Sequence, residues 1–114
     1  MSHEDEAREL LTSLRQIADD RLARAEAALA ALTRDRLSES DDDEHDPEGV
    51  PLSAEWSRLT GLVESARTEL GQIDDALARV EVGEYGICAA CGKAIPRERL
   101  EVRPFASTCV PCAS

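Results

Sequence analysis

Four cysteines are the residues with the most definite chemistry in this sequence. Cys88 and Cys91 form one C-x2-C pair and Cys109 and Cys112 another, with seventeen residues between the pairs. Two such pairs at this separation predict a zinc site. A two-residue spacer makes a tight knuckle whose sulfurs occupy one edge of a tetrahedral ion, at about 2.3 Å from it, and the longer segment returns to supply the other edge. Gly92, directly after Cys91, suits such a knuckle because glycine reaches positive φ without steric cost. Four thiolates close the coordination shell, so one structural Zn2+ is expected rather than a catalytic one. The competing reading is a pair of disulfides or four inert thiols, which a reducing compartment disfavours. The two histidines, His3 and His45, lie far from the cysteines in sequence. Residues 83–114 hold too little apolar material to close a core alone, so the metal is expected to supply much of their folding energy.

The remaining candidates are charged. Residues 38–51 hold seven acids, no base, two prolines and a glycine, and read as a loop. Within it Asp41, Asp42, Asp43 and Asp46 offer hard oxygen ligands of the kind that suit Mg2+. The calcium-loop pattern is not met, because His45 interrupts the acids and no glycine follows where that loop needs one. The alternative for this stretch is a solvated linker. Arg97, Arg99 and Arg103 form a basic cluster that could face an acidic partner or hydrogen-bond the knuckle carbonyls, with plain surface solubility as the alternative. No nucleophile has a visible base and orienting partner, and no glycine-rich phosphate loop appears, so an enzyme is not expected.

Two long helices must position these groups. Residues 7–36 carry a stripe at Leu11, Leu14, Ala18, Leu22, Ala25, Leu29 and Leu32, widened by Leu10, Ile17 and Ala28. A second stripe runs through Trp56, Leu59, Val63, Ala66, Leu70, Ile73, Leu77 and Val80. Both have the 3.5-residue period of a coiled-coil seam. The second helix is expected to start with Ser53 as N-cap and to stop near Gly83. Two helices with one narrow seam each, joined by a polar loop, predict an antiparallel hairpin on the order of 40–45 Å long. The expected fold is therefore mainly α: a coiled-coil hairpin over 1–82 with an acidic tip loop at 38–52, then a small four-cysteine zinc-finger module over 83–114.

Composition narrows the function classes. The chain has 114 residues, a formal net charge of −11, and Trp56, Tyr85 and Phe105 as its only aromatics, which argues against a large enzyme core. The negative charge argues against a direct nucleic-acid binder, which needs clustered Lys and Arg. No apolar run approaches the ~20 residues of a membrane span. The acidic start, Met-Ser-His-Glu-Asp-Glu, does not read as a secretory signal, and the cytoplasm is the expected compartment. A monomer is expected, with pairing of two hairpins as the alternative.

The segment from Gly83-Glu84-Tyr85-Gly86-Ile87-Cys88 through Cys91-Gly92, Ile95, Arg99-Leu100 and Pro104 to Cys109-Val110-Pro111-Cys112 closely resembles the DksA/TraR family of bacterial transcription factors. The matching motifs are G-x-Y-G-x-C-x-x-C-G, I-x-x-x-R-L-x-x-x-P and the closing C-x-x-C, and the hairpin ahead of them agrees with the same family. The resemblance implies a protein partner, RNA polymerase, with the hairpin inserted through the secondary channel, its tip directed to the catalytic centre and its zinc end at the channel rim. It also implies regulation of initiation, in some members together with ppGpp. Where the best-known members carry Asp-x-x-Asp-x-Ala at the tip, this sequence has Asp46-Pro47-Glu48-Gly49-Val50-Pro51, matching the first Asp only. Two other classes are open on the residues alone: a zinc-stabilised coiled-coil adaptor with a different partner, and a thiol-based redox sensor.

Overall fold

The computed structural model describes residues 3–39 and 52–113. Helix α1 spans His3–Glu39, α2 spans Leu52–Glu81, and a short α3 spans Arg97–Val102. Among the described residues there is no strand, only an isolated bridge between Ile87 and Ala94. The chain divides into two compact units, Met1–Ile17 with Glu69–Ser114, and Ala18–Thr68.

In the first unit α1 and α2 pack antiparallel and the cysteine-bearing segment folds beside them. Leu11, Ile73, Ala76 and Val80 are buried in it, with Ala7, Cys88, Ile95 and Ala106. Two exposed ion pairs tie the helices on one flank: Arg8 Nε to Glu81 Oε1 at 2.9 Å and Arg15 Nε to Asp74 Oδ1 at 2.7 Å. The partners step by one heptad in each helix and in opposite directions, as an antiparallel seam requires. Being exposed and screened by water, these pairs mark register more than stability. In the second unit Ala18 and Ala25 of α1 are buried with Leu59, Val63 and Ala66 of α2. Arg67 Nη2 there meets Glu26 Oε2 at 2.9 Å.

The seam is narrower than the sequence stripe. Leu10 and Ile17 are 45% and 51% exposed, and Ala28 is exposed too. Ala7 and Ala76, outside the expected stripe, are buried, whereas Leu77 is only half-buried. A two-helix contact covers one strip of each helix, so residues beside that strip stay half in water whatever their hydrophobicity. α2 begins at Leu52, which puts Ser53 inside the first turn and not at the cap.

The end of α2 follows from Gly83. At φ +74 it adopts the left-handed conformation that other residues avoid. The Glu84 amide then donates to the Arg79 carbonyl at 2.8 Å and the Gly83 amide to the Val80 carbonyl at 3.2 Å. This is a Schellman stop, and it turns the chain sharply into the cysteine segment. No described helix is long and apolar enough to cross a membrane.

Candidate metal centre and its surroundings

The first knuckle is a tight backbone reversal. The Ile95 amide donates to the Gly86 carbonyl at 2.7 Å, the Cys88 amide to the Lys93 carbonyl at 2.8 Å, and the Gly92 amide to the Cys88 carbonyl at 2.9 Å. Gly86 and Gly92 have φ of +83 and +76, so both turn positions need glycine. The Cys91 amide points at Cys88 Sγ, 3.5 Å away. The second knuckle repeats the turn, with the Cys112 amide donating to the Cys109 carbonyl at 3.1 Å.

Three bonds bring the knuckles together. The Ala89 amide donates to the Ser107 carbonyl at 2.8 Å. Arg99 Nε, from α3, donates to the Thr108 carbonyl at 2.8 Å, and the Tyr85 hydroxyl donates to the Pro104 carbonyl at 2.7 Å. The sulfurs of Cys88, Cys91, Cys109 and Cys112 consequently lie within 4.8 Å of one another. Cys91 Sγ and Cys109 Sγ are 3.8 Å apart. That is the edge of a tetrahedron whose vertices sit about 2.3 Å from its centre, the Zn–S distance, and nearly twice the ~2.05 Å of a disulfide. All four cysteines are free thiols, which removes the disulfide reading.

The thiols are electrically unequal. Backbone hydrogen bonds from Cys109 and Cys91 pull the Cys88 thiol down to about 6, so it is ionised at neutral pH. Cys112 is pushed up to about 12, first by its hydrogen bond to Cys109 and then by Cys88 and Cys91. Cys91 is raised as well, despite a Lys93 backbone contact that pulls the other way. Sulfurs this close cannot all hold negative charge without a cation between them. A divalent ion that accepts four thiolates resolves the conflict, and the donor set fits Zn2+.

A family model, the prokaryotic dksA/traR C4-type zinc finger, matches residues 83–114. The fold is similar to that of transcription factor DksA2 of Pseudomonas aeruginosa, with a TM-score of 0.78 over 96% of this chain and 79% of that one, at 27% identity. Residues 83–114 are therefore a zinc finger of the dksA/traR type, on a fold similar to that of DksA2. An uncharacterized protein of Aquifex aeolicus is 35% identical over 82 residues, 71% of this chain and 57% of its own. The RNA polymerase-binding transcription factor DksA of Escherichia coli is 39% identical over 46 residues, 40% of this chain and 30% of its own. The chain thus spans little more than half of the first of these curated relatives and under a third of the second. The four cysteines of this zinc finger are a site for one structural Zn2+.

The other expected site residues fall differently. Asp41, Asp42, Asp43 and Asp46 lie outside the described residues, and of the tip loop expected over 38–52, Ser38 and Glu39 instead belong to α1 and Leu52 opens α2. Arg97 is exposed and 3.6 Å from Glu101. Arg99 is committed to the Thr108 carbonyl, so its visible role is to brace the second knuckle. Arg103 is exposed and lines a groove of about 330 Å3 with Gln72, Arg79, Arg99, Ser107 and Thr108. Arg79 contributes a buried Nη2 with no hydrogen-bond partner among the described residues. Sequence reasoning misses Arg79, which by pattern is one more base on α2. Its one sequence signal is its place four residues before Gly83, in the last turn. Tyr85, whose hydroxyl is raised by burial, belongs to the same base and stands in the sequence only as a motif residue.

Proposed function

We propose that this protein is a transcription regulator that binds RNA polymerase through its secondary channel and acts from the cytoplasm as a monomer. Residues 1–82 are the part that enters, and the zinc module over 83–114 remains at the rim. The observation that carries this reading is the dksA/traR-type zinc finger over residues 83–114 on a fold similar to that of DksA2, together with a relative named for polymerase binding. The acidic composition supports a factor that works through a protein and not by contacting DNA.

Zinc has no open position in this account and takes part in no reaction; it holds the module in shape. The carboxylates of Asp41, Asp42, Asp43 and Asp46 act at the catalytic centre, where Mg2+ and basic side chains attract them. At the rim, Arg97 and Arg103 meet acidic groups of the polymerase. The groove shared by Arg103 and Arg79 offers guanidinium donors with unused hydrogen-bonding capacity. Equilibrium binding of the zinc-loaded protein to purified core polymerase tests the reading. Saturable one-to-one binding is expected, weakened by Arg103→Ala. Absence of binding contradicts it and favours a coiled-coil adaptor with another partner.

A further inference from the structure

A second surface lies beside the zinc module and shares only Arg97 with the rim contacts proposed for the polymerase. Leu10 of α1, Tyr85, Ile95 and Leu100 line an apolar groove of about 410 Å3, with Glu4, Glu6, Glu101 and Arg97 at its edge. Leu10 is 45% exposed there, a large aliphatic side chain left half in water. The one polar atom that the floor side chains carry, the Tyr85 hydroxyl, already donates to the Pro104 carbonyl. The floor side chains therefore offer no free hydrogen-bond donor to orient a small polar ligand, and the groove suits aliphatic side chains. The edge has three carboxylates against one guanidinium, and that guanidinium already sits 3.6 Å from Glu101. A second copy would bring the same acids against these, between chains that each carry −11. The charge pattern calls for the opposite sign.

We infer that this groove docks a basic amphipathic helix of a protein partner, with one or two aliphatic anchors on Leu10, Ile95 and Leu100 and Lys or Arg facing Glu4, Glu6 and Glu101. The surface is separate from the groove lined by Arg79 and Arg103, and the inference does not depend on which protein bears the helix. It follows the helix-in-groove mode of peptide recognition.

The test uses the zinc-loaded full chain and a synthetic amphipathic helix with a Leu face and a Lys face, its Leu/Glu counterpart serving as the control probe. Backbone amide shifts are followed by NMR. The Leu/Lys helix is expected to move the signals of Leu10, Gly86 and Leu100, and the Leu/Glu helix to move none of them. Leu10→Asn should weaken binding roughly tenfold, the share of one buried Leu. Leu62→Asn, an exposed Leu on α2 outside the groove, should leave it unchanged, with helicity and zinc content equal in all variants. Shifts spread over the acidic helix surfaces, equal affinity for Leu10→Asn, or self-association abolished by Leu10→Asn would each overturn the proposal. The last would assign the groove to a second copy.

Discussion

Arg99 Nε donates to the carbonyl oxygen of Thr108 across 2.8 Å, one residue ahead of the zinc ligand Cys109. A side chain on the six-residue α3 thus fixes the approach of the second C-x2-C knuckle to the first. Its charge-assisted bond contributes roughly 1–2 kcal/mol to holding the four sulfurs in place, given its partial burial. Arg99→Ala should lower zinc affinity by about tenfold, since ~1.4 kcal/mol is a factor of ten. Competition with a chromogenic chelator measures it, and an unchanged affinity would show that the backbone bond from Ala89 to Ser107 suffices.

Cys88→Ser removes the most buried ligand and a thiol that its backbone hydrogen bonds pull down to about 6. The variant should lose stoichiometric zinc and the folded state of residues 83–113, while α1 and α2 keep most of their helicity. Metal analysis and circular dichroism check the two halves of this outcome. Retained zinc at one per chain would refute the four-thiolate assignment.

Zinc uptake should depend on pH in a stepped way. Metal-free, Cys91 and Cys112 keep their protons well above neutrality, so zinc must displace them. Affinity therefore rises with pH through the neutral range, by at least about two protons' worth per unit. Cys88, pulled down to about 6, is ionised above that value and adds no proton there. As pH falls through about 6 it becomes protonated, and the slope should steepen by one further proton. A chelator titration at several pH values reads the slope directly. A slope that stays constant from about pH 5 to 8 would contradict the inequality of the thiols.

Three glycines should separate by backbone conformation. Gly61 and Gly71 are inside α2 with open space where a Cβ would go. Ala at either should raise stability by about 0.5–1 kcal/mol. Gly83, at φ +74 in the Schellman stop, should lose about 1 kcal/mol or more on the same change. Thermal denaturation of the zinc-loaded proteins distinguishes the two signs.

The zinc site was legible because metal coordination dictates ligand spacing directly: the pairs at Cys88/Cys91 and Cys109/Cys112 need no knowledge of the fold. The hairpin was legible because a 3.5-residue period repeats over many turns. What escaped depends on contacts between distant segments. Ala76 is buried and Leu77 is not, since the depth of a seam position is set by the partner helix and the zinc module rather than by side-chain size. Leu10 and Ile17 read as part of the seam but flank it. α3 is too short to show a period, and Pro96, its N-cap, makes no side-chain capping bond that a motif could announce. The roles of Arg79 and Arg99 come from a turn and a carbonyl that only the folded chain brings to them.

In vitro transcription with purified polymerase, comparing the natural protein with a variant in which Asp41, Asp42, Asp43 and Asp46 are all replaced by Asn, probes the central claim most directly. The natural protein is expected to change the yield of initiated transcripts, and the variant to bind polymerase equally well yet leave the yield unchanged. A natural protein that binds no polymerase and alters no transcript, or a variant that loses binding and not just effect, would contradict it.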